Sequence, residues 1–405
     1  MLRGRTGGEP GLRGMIETQI TPQGKQPTVL QVLPGLVTGG VERGTVDMAD
    51  ALVQAGWRAL VASSGGPMVR ELERAGATHI TLPLDSKNPF RMRKNATALQ
   101  QLIAEHGIDI VHARSRAPAW SAYWATRRTG TPFVTSFHAP YKITGAVKRW
   151  YNTIMTRGDR VIAISEFISR HILDNYPIDP LILRVIPRGV DVARFDPDLV
   201  SAERMIQLSE AWRLEDGVPV IMLPGRLTRW KGQSVLIQAM AHLRDVPALA
   251  VLVGSDQGRV AYRQELETLV ETLDLKRTVR FAGECRDMPA AYMLSDVVVS
   301  ASTEPEGFGR VSVEAQALGR PVVGSNHGGV AETVLPGETG WLVPSDDPVA
   351  LAGALREALG LVGEERARWA ARAMDHVRQN YSKQLMCART IAVYHELLED
   401  RVRMA

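Results

Sequence analysis

From Thr28 onward, short apolar runs alternate with longer stretches whose apolar residues recur every three or four positions. Runs at 28–33, 59–62, 80–82, 108–111, 133–136, 160–164 and 183–186 predict short buried strands. Helical patterns such as 43–55, 91–106 and 117–128 fall between them. The second half repeats the rhythm, with strands at 220–223, 248–253, 279–281, 297–300, 321–323 and 341–343. Its helices are predicted at 233–243, 262–273, 288–294, 309–318 and 350–361, and two more at 364–379 and 383–398. Uninterrupted apolar strands separated by amphipathic helices specify a parallel sheet covered on both faces. The predicted fold class is therefore α/β, with two doubly wound, Rossmann-like domains and a ligand cleft between them. Ligands of such sheets bind at the carboxyl ends of the strands.

The rhythm breaks over 187–218, where Pro187, Gly189, Pro197 and Gly217 surround a single amphipathic segment. A domain boundary is expected there, dividing 27–200 from 201–382. Two domains suit 405 residues, and 45% apolar with 23% charged residues is a globular composition. Residues 1–26 are polar and Gly-rich, without the apolar core of a signal peptide, and read as a disordered leader. No apolar run reaches the length of a membrane span, and two cysteines make neither a disulfide framework nor a metal cluster. A cytoplasmic location is expected. Residues 1–205 hold 26 Lys and Arg against 18 Asp and Glu, whereas the rest hold 22 against 26. A basic first half suits an anionic lipid surface or a phosphorylated acceptor, or serves solubility alone.

The chemistry concentrates in four places. Glu306-Gly-Phe-Gly-Arg-Val-Ser-Val-Glu314 sets two carboxylates on either side of a Gly-Phe-Gly turn that opens a helix. Gly307 and Gly309 let the backbone approach a ligand, and their amides with that of Phe308 suit sugar hydroxyls or phosphate oxygens. Glu314 suits a ribose diol; the alternative is one capping and one exposed glutamate. Gly225-Arg226-Leu-Thr-Arg-Trp-Lys231-Gly232 follows a strand and opens a helix. There Arg226 and Lys231 suit a diphosphate, and the alternative is a solvated basic loop. Gly39 and Gly40 form a turn before a helix but do not complete a dinucleotide fingerprint, and no acid ends the second strand, which argues against a nicotinamide cofactor. His138 directly follows a strand, where a role in the site competes with a structural one. The segment from Tyr141 to Arg157 interleaves Lys142, Lys148, Arg149, Trp150 and Tyr151; it suits an anionic membrane surface or an aromatic face beneath a solvated basic one. Asp196-Pro-Asp198 matches a short metal pattern but lies in the linker and reads as a loop; no metal and no cofactor are expected.

Taken together, the chain resembles retaining glycosyltransferases of family 4, which have the GT-B fold. The Gly225–Gly232 segment, the Glu306–Glu314 element, Ala317-Leu-Gly-Arg-Pro-Val-Val323, Ile164-Ser-Glu166 and Pro187-Arg-Gly-Val-Asp191 carry the resemblance. It departs at Arg188, where the family usually has Asn. The resemblance implies a nucleotide-diphosphate sugar (UDP-, GDP- or ADP-linked) as co-substrate, its diphosphate on Arg226 and Lys231 and its ribose on Glu314. It places the donor sugar at Glu306 and the amides of Gly307, Phe308 and Gly309. Gly39 and Gly40 would close over the diphosphate, His138 would lie near the sugar, and Arg286 near the base. The terminal helix, 383–405, would pack back on the first domain. Ser86-Lys-Asn-Pro89 and His112-Ala-Arg-Ser-Arg-Ala-Pro118 narrow the resemblance to bacterial enzymes of the lipopolysaccharide core or related envelope glycans. The expected partners are then a nucleotide sugar, a glycolipid or glycan acceptor and an anionic membrane surface, with no nucleic acid. The expected place is peripheral on the cytoplasmic face of the inner membrane. A non-hydrolysing sugar-nucleotide epimerase and a catalytically inactive scaffold share the architecture. An epimerase would convert the donor without acceptor, and a scaffold would tolerate loss of Lys231 and Glu306.

Overall fold

A computed structural model describes residues 26–404; the expected leader, apart from Gln26, lies outside the described residues. These divide into two compact units: those up to Gly189 together with those from Lys383 onward, and Val190–Ser382. The division thus falls ahead of the sequence-based boundary at 200.

The first unit runs β1 (Thr28–Val32), α1 (Gly40–Gln54), β2 (Arg58–Ser63), α2 (Val69–Arg74), β3 (Thr78–Thr81), α3 (Pro89–His106), β4 (Ile110–Ala113), α4 (Arg116–Thr129), β5 (Phe133–Phe137), α5 (Ala146–Asn152), β6 (Arg160–Ala163), α6 (Glu166–Asn175) and β7 (Leu183–Val185). Its strands form one parallel sheet in the order β3-β2-β1-β4-β5-β6-β7. Every residue of β1, β4 and β5 is buried, as expected of strands with helices on both faces. Local chemistry sets the helix ends. Asn88 accepts from the amides of Phe90 and Arg91 at 2.9 and 3.3 Å, Pro89 occupies the first turn of α3, and Gly107 closes it in the left-handed conformation (φ 59°).

The second unit continues with α7 (Ala202–Trp212), β8 (Val220–Pro224), α8 (Gln233–Ala241), β9 (Leu249–Val253), α9 (Val260–Thr272), β10 (Val279–Gly283), α10 (Met288–Leu294), β11 (Val297–Ser300), α11 (Arg310–Ala317), β12 (Val322–Ser325), α12 (Val330–Thr333), β13 (Gly340–Val343), α13 (Pro348–Leu359) and α14 (Gly363–Asn380). Its sheet is also parallel, ordered β10-β9-β8-β11-β12-β13. The last helix, α15 (Lys383–Met404), belongs to the first unit, where Cys387, Ile391, Tyr394 and Leu397 join the buried core.

The α/β class and the strand–helix alternation agree with the hydrophobic pattern. The short helices α2 and α12 and the ten-residue α6 are not among those named from it; in the first two, six and four residues hold too little periodicity to register. In each sheet the strand order reverses once about the first strand, between β1 and β4 and between β8 and β11. That reversal opens a crevice at the carboxyl ends, where loops leave in opposite directions.

Candidate active site

In the second unit, charged side chains meet at the reversal point. Lys231 lies in the 3₁₀ turn that follows β8, and Glu306 in the loop that follows β11. Lys231 Nζ donates to Glu306 Oε1 at 2.8 Å, with both side chains largely buried. The same oxygen accepts from Ser302 Oγ. The Lys231 stem crosses Gly225, and its ammonium stands 4.5 Å from the Trp230 ring centroid. The two loops are tied by their backbones, Thr303 N–H to the Trp230 carbonyl at 2.8 Å. Gly232 makes that contact possible: it sits at φ 72°, and a Cβ there would overlap the Ala301 carbonyl. The loop from Ser302 is further pinned by His327, whose Nε2 meets the Ser302 carbonyl at 2.7 Å, and by Gly329 N–H on the Glu306 carbonyl at 2.8 Å.

Glu314 is placed separately. It is buried on α11, where Oε2 accepts from Tyr292 Oη at 2.9 Å and Oε1 from Arg310 Nε at 2.6 Å. Burial, then the charge of Glu314, pushes the Tyr292 phenol well up, so it stays a donor. Gly309 caps α11 at φ 81°, wedged against Val330, while the buried Phe308 ring rests 5.6 Å from Tyr381. Arg226 is exposed; its carbonyl takes Gln233 Nε2 at 2.9 Å, and its guanidinium has no hydrogen-bond or ion-pair partner among the described residues. Thus Lys231 and Glu306 come together, while Glu314 is held by a different pair of side chains. Arg286 lies in the loop between β10 and α10. With Arg194, Arg204 and Pro289 it lines a cavity of about 430 Å³ at the start of α10. There Arg204 forks onto Asp287 at 2.6 and 2.8 Å and holds that carboxyl below the usual carboxylate range.

In the first unit, Gly39 and Gly40 begin α1, which has no side-chain cap. His138 follows β5 directly, and both its ring nitrogens are buried without a hydrogen-bond partner among the described residues. Burial first, then Arg188, Arg114 and His112, hold its pKa well below the ordinary histidine value. Under α15, His112 is fully enclosed between Tyr394 Oη at 2.6 Å and Ser136 Oγ at 2.7 Å. Arg114 is buried too and donates to Gln31 Oε1 at 2.8 Å.

Several partners were not singled out from sequence: Ser302, Trp230, Tyr292, Arg310 and His327. Of these, Arg310 stood four residues before Glu314, the spacing of a helical ion pair, and was legible on that ground. The basic-aromatic stretch divides. Tyr141 lies beneath Arg116 at 4.2 Å and Tyr151 is half-buried, whereas Val147 and Trp150 on α5 are 81% and 55% exposed. Asp196 accepts from the Asp198 amide at 3.0 Å and so caps a turn, as a loop reading requires.

Two doubly wound units, the second with a charged pair at its sheet reversal, are the architecture of the GT-B class. Comparison with known proteins agrees. The family model described as Glycosyltransferase Family 4 matches residues 38–194, and that described as Glycosyl transferases group 1 matches 206–376. A D-inositol 3-phosphate glycosyltransferase of Salinispora tropica is 31% identical over 328 residues, 73% of this chain and 66% of that protein. A GDP-mannose-dependent alpha-(1-6)-phosphatidylinositol monomannoside mannosyltransferase of Mycolicibacterium smegmatis is 30% identical over 278 residues, 65% of this chain and 70% of that protein. The crystal structure of a glycosyltransferase from Rickettsia africae superposes with a TM-score of 0.86 at 37% identity, covering 92% of this chain and 99% of that one. The chain spans just under two thirds of the Salinispora protein's length. This chain belongs to glycosyltransferase family 4.

Proposed function

We propose that the chain is a retaining glycosyltransferase that moves a sugar from a nucleotide-diphosphate sugar to a hydroxyl of a glycan or glycolipid acceptor, without a metal. The observation that carries this is the Lys231–Glu306 pair at the reversal of the second sheet. It offers a cation for phosphate and an acceptor-only carboxylate for hydroxyls within one small space. Arg226 and Lys231 meet the negative charge that grows on the departing diphosphate, which is the task a divalent cation would otherwise perform. Glu314, held by Tyr292 and Arg310, takes the ribose. Glu306 positions the donor sugar, and the leaving phosphate accepts the proton of the incoming hydroxyl, so the new bond forms on the face the old one leaves. A glycosyl–Glu306 adduct trapped with a slow substrate would overturn that step.

The named activities of the relatives widen the acceptor beyond the lipopolysaccharide core. One acts on D-inositol 3-phosphate and another on a phosphatidylinositol mannoside. A phosphorylated polyol or an envelope glycolipid both suit the basic first half of this chain. Among the described residues no helix is long and apolar enough to cross a membrane. The exposed Val147 and Trp150, with Lys148 and Arg149 between them, suit binding to an anionic lipid surface.

Thermal denaturation with a panel of nucleoside diphosphates and nucleotide sugars tests the donor reading. A ligand at 100 times its Kd stabilises by about 2.7 kcal/mol, so at least one donor should raise the Tm. No response from any of them sinks it. Proton NMR of the product then reports whether the anomeric configuration is retained.

A further inference from the structure

In both units the loop that leaves the first strand is fastened to the loop of the neighbouring strand, on the side away from the reversal. In the first unit these are the loops after β1 and β2, and in the second those after β8 and β9. Both fastenings start by carrying the parallel ladder past the first strand. Leu33 N–H donates to the Ala62 carbonyl at 3.2 Å, and Gly225 N–H to the Val253 carbonyl at 2.8 Å. Each outer loop then catches a leucine by its amide. Leu36 N–H donates to the Gly65 carbonyl at 2.8 Å and Leu227 N–H to the Ser255 carbonyl at 3.0 Å, and both leucine side chains are buried in the core of their own unit. The first unit adds bonds from the Ser64 amide and hydroxyl to the Pro34 carbonyl at 3.0 and 2.6 Å. One glycine in each outer loop permits the close approach. A Cβ on Gly66 would overlap the Leu36 carbonyl, and one on Gly254 would overlap the Gly225 carbonyl. Gly254 N–H is itself tied to the Gly283 carbonyl at 2.7 Å, which anchors that outer loop to the end of β10.

We propose that the loops after β2 and β9 are splints, and that Gly66 and Gly254 are positioning residues that set the loops after β1 and β8 before a donor arrives. Leu227 directly follows Arg226, and Leu36 stands three residues ahead of Gly39. Each caught leucine therefore fixes the root of a segment that the donor would meet. Arg226 shows the effect. Its backbone is held by the bonds of Gly225 and Leu227 to the β9 side and by Gln233 Nε2 on its own carbonyl at 2.9 Å. Its side chain stays uncommitted above that fixed root. A loop that ordered itself only on binding would lose backbone entropy in the event, and the loss would subtract from affinity. At 66 and 254 two backbones touch, so a methyl there must push the loops apart. The displacement passes to the leucine and from it to Arg226 or to the turn at Gly39. The inference rests on the transfer reading only in naming a nucleotide-diphosphate sugar as the ligand that these loops await.

Two further glycines supply the controls. Gly65 and Gly258 lie in the same two loops at φ 91° and 79°, yet a Cβ on either meets nothing within 4 Å among the described residues. G65A and G258A thus carry the backbone strain of a methyl without the collision. Amide hydrogen exchange of the full-length chain without ligand reads the splints. Leu36 should exchange about tenfold faster in G66A than in G65A, and Leu227 about tenfold faster in G254A than in G258A. Calorimetry with UDP, GDP and ADP then reads the positioning. The nucleotide that the parent binds should bind about tenfold more weakly to G254A and G66A, the entropy of ordering roughly one more residue, and as in the parent to G258A and G65A. Saturation with that nucleotide should slow Leu227 exchange in G254A back toward the parent rate. Where a methyl at 66 or 254 unfolds its unit, S64A, which removes only the hydroxyl bond to Pro34, decides by the same two measurements. Equal exchange within both pairs shows that no splint exists. Faster exchange with unchanged nucleotide binding shows bracing for stability alone and overturns the positioning role. A parent that binds none of the three nucleotides sinks the donor reading and the positioning role with it, while the exchange rates still report the splints.

Discussion

Lys231 and Glu306 are each other's partner in a largely dry setting, so removing one leaves the other exposed to a desolvation cost. Lys231→Ala is expected to weaken nucleoside diphosphate binding about tenfold or more, measured by calorimetry, since a charge-assisted bond contributes about 1.5–3 kcal/mol. Glu306→Gln keeps the shape but not the charge; it should weaken nucleotide sugars more than the bare diphosphate. Gly232→Ala has no ligand rationale at all. Its φ of 72° and the Ala301 carbonyl leave no room for a methyl, so a loss of roughly 1–3 kcal/mol in urea unfolding is expected. The histidines carry a pH signature. His112 is held neutral, first by burial and then by Arg114. Its folded pKa lies below its unfolded value, so its contribution is complete above about pH 6.5. As pH falls through that value the unfolded chain binds the extra proton, and stability drops by up to about 1.4 kcal/mol per pH unit. The decline in Tm between neutral and mildly acid pH should be shallower in His112→Gln.

At the scale of elements, α15 is fastened to the first unit in two ways. Arg160 donates to Glu396 at 3.1 Å and Asp400 at 2.7 Å, and Arg184 donates to Glu396 at 2.7 Å. These pairs are partly exposed and contribute little each. The apolar face and the Tyr394–His112 bond matter more. Tyr394→Phe strips one partner from a buried imidazole and is expected to cost about 1–3 kcal/mol by equilibrium unfolding, with the far-UV spectrum unchanged. The strands and longer helices were legible in the sequence because burial on both faces leaves continuous apolar runs, and amphipathic packing leaves a helical period. Their exact ends were not. Position 309 illustrates why: α11 starts one residue later than the apolar pattern, because Gly309 is spent as a left-handed cap. Of the candidate site, Lys231, Glu306 and Glu314 were legible as charged residues that follow strand ends, and the structure pairs the first two. Their partners were not: Ser302 meets Glu306 inside one irregular loop, and Tyr292 reaches Glu314 from a separate helix, contacts that no periodic pattern marks.

Taken whole, the molecule carries its charge unevenly between its two halves. The basic excess lies in the half that exposes Val147 and Trp150. Sedimentation with anionic vesicles should capture the chain at low salt and release it at high salt, and Trp150→Ala with Val147→Ser should reduce capture several-fold while nucleotide binding is kept. Equal capture by neutral vesicles would refute an electrostatic contribution. The second sheet, meanwhile, keeps its principal cation engaged. With Lys231 on Glu306, its charge is already met, and an anion that is to engage Lys231 must first break an ion pair. A bare phosphate offers Lys231 a new partner but leaves Glu306 stranded. On the proposed reading a nucleotide sugar offers oxyanions to the one and hydroxyls to the other, exchanging both partners in a single event. On that reading the ion pair works as a two-key lock, which a bare diphosphate opens at a cost and a ligand carrying both chemistries opens without one.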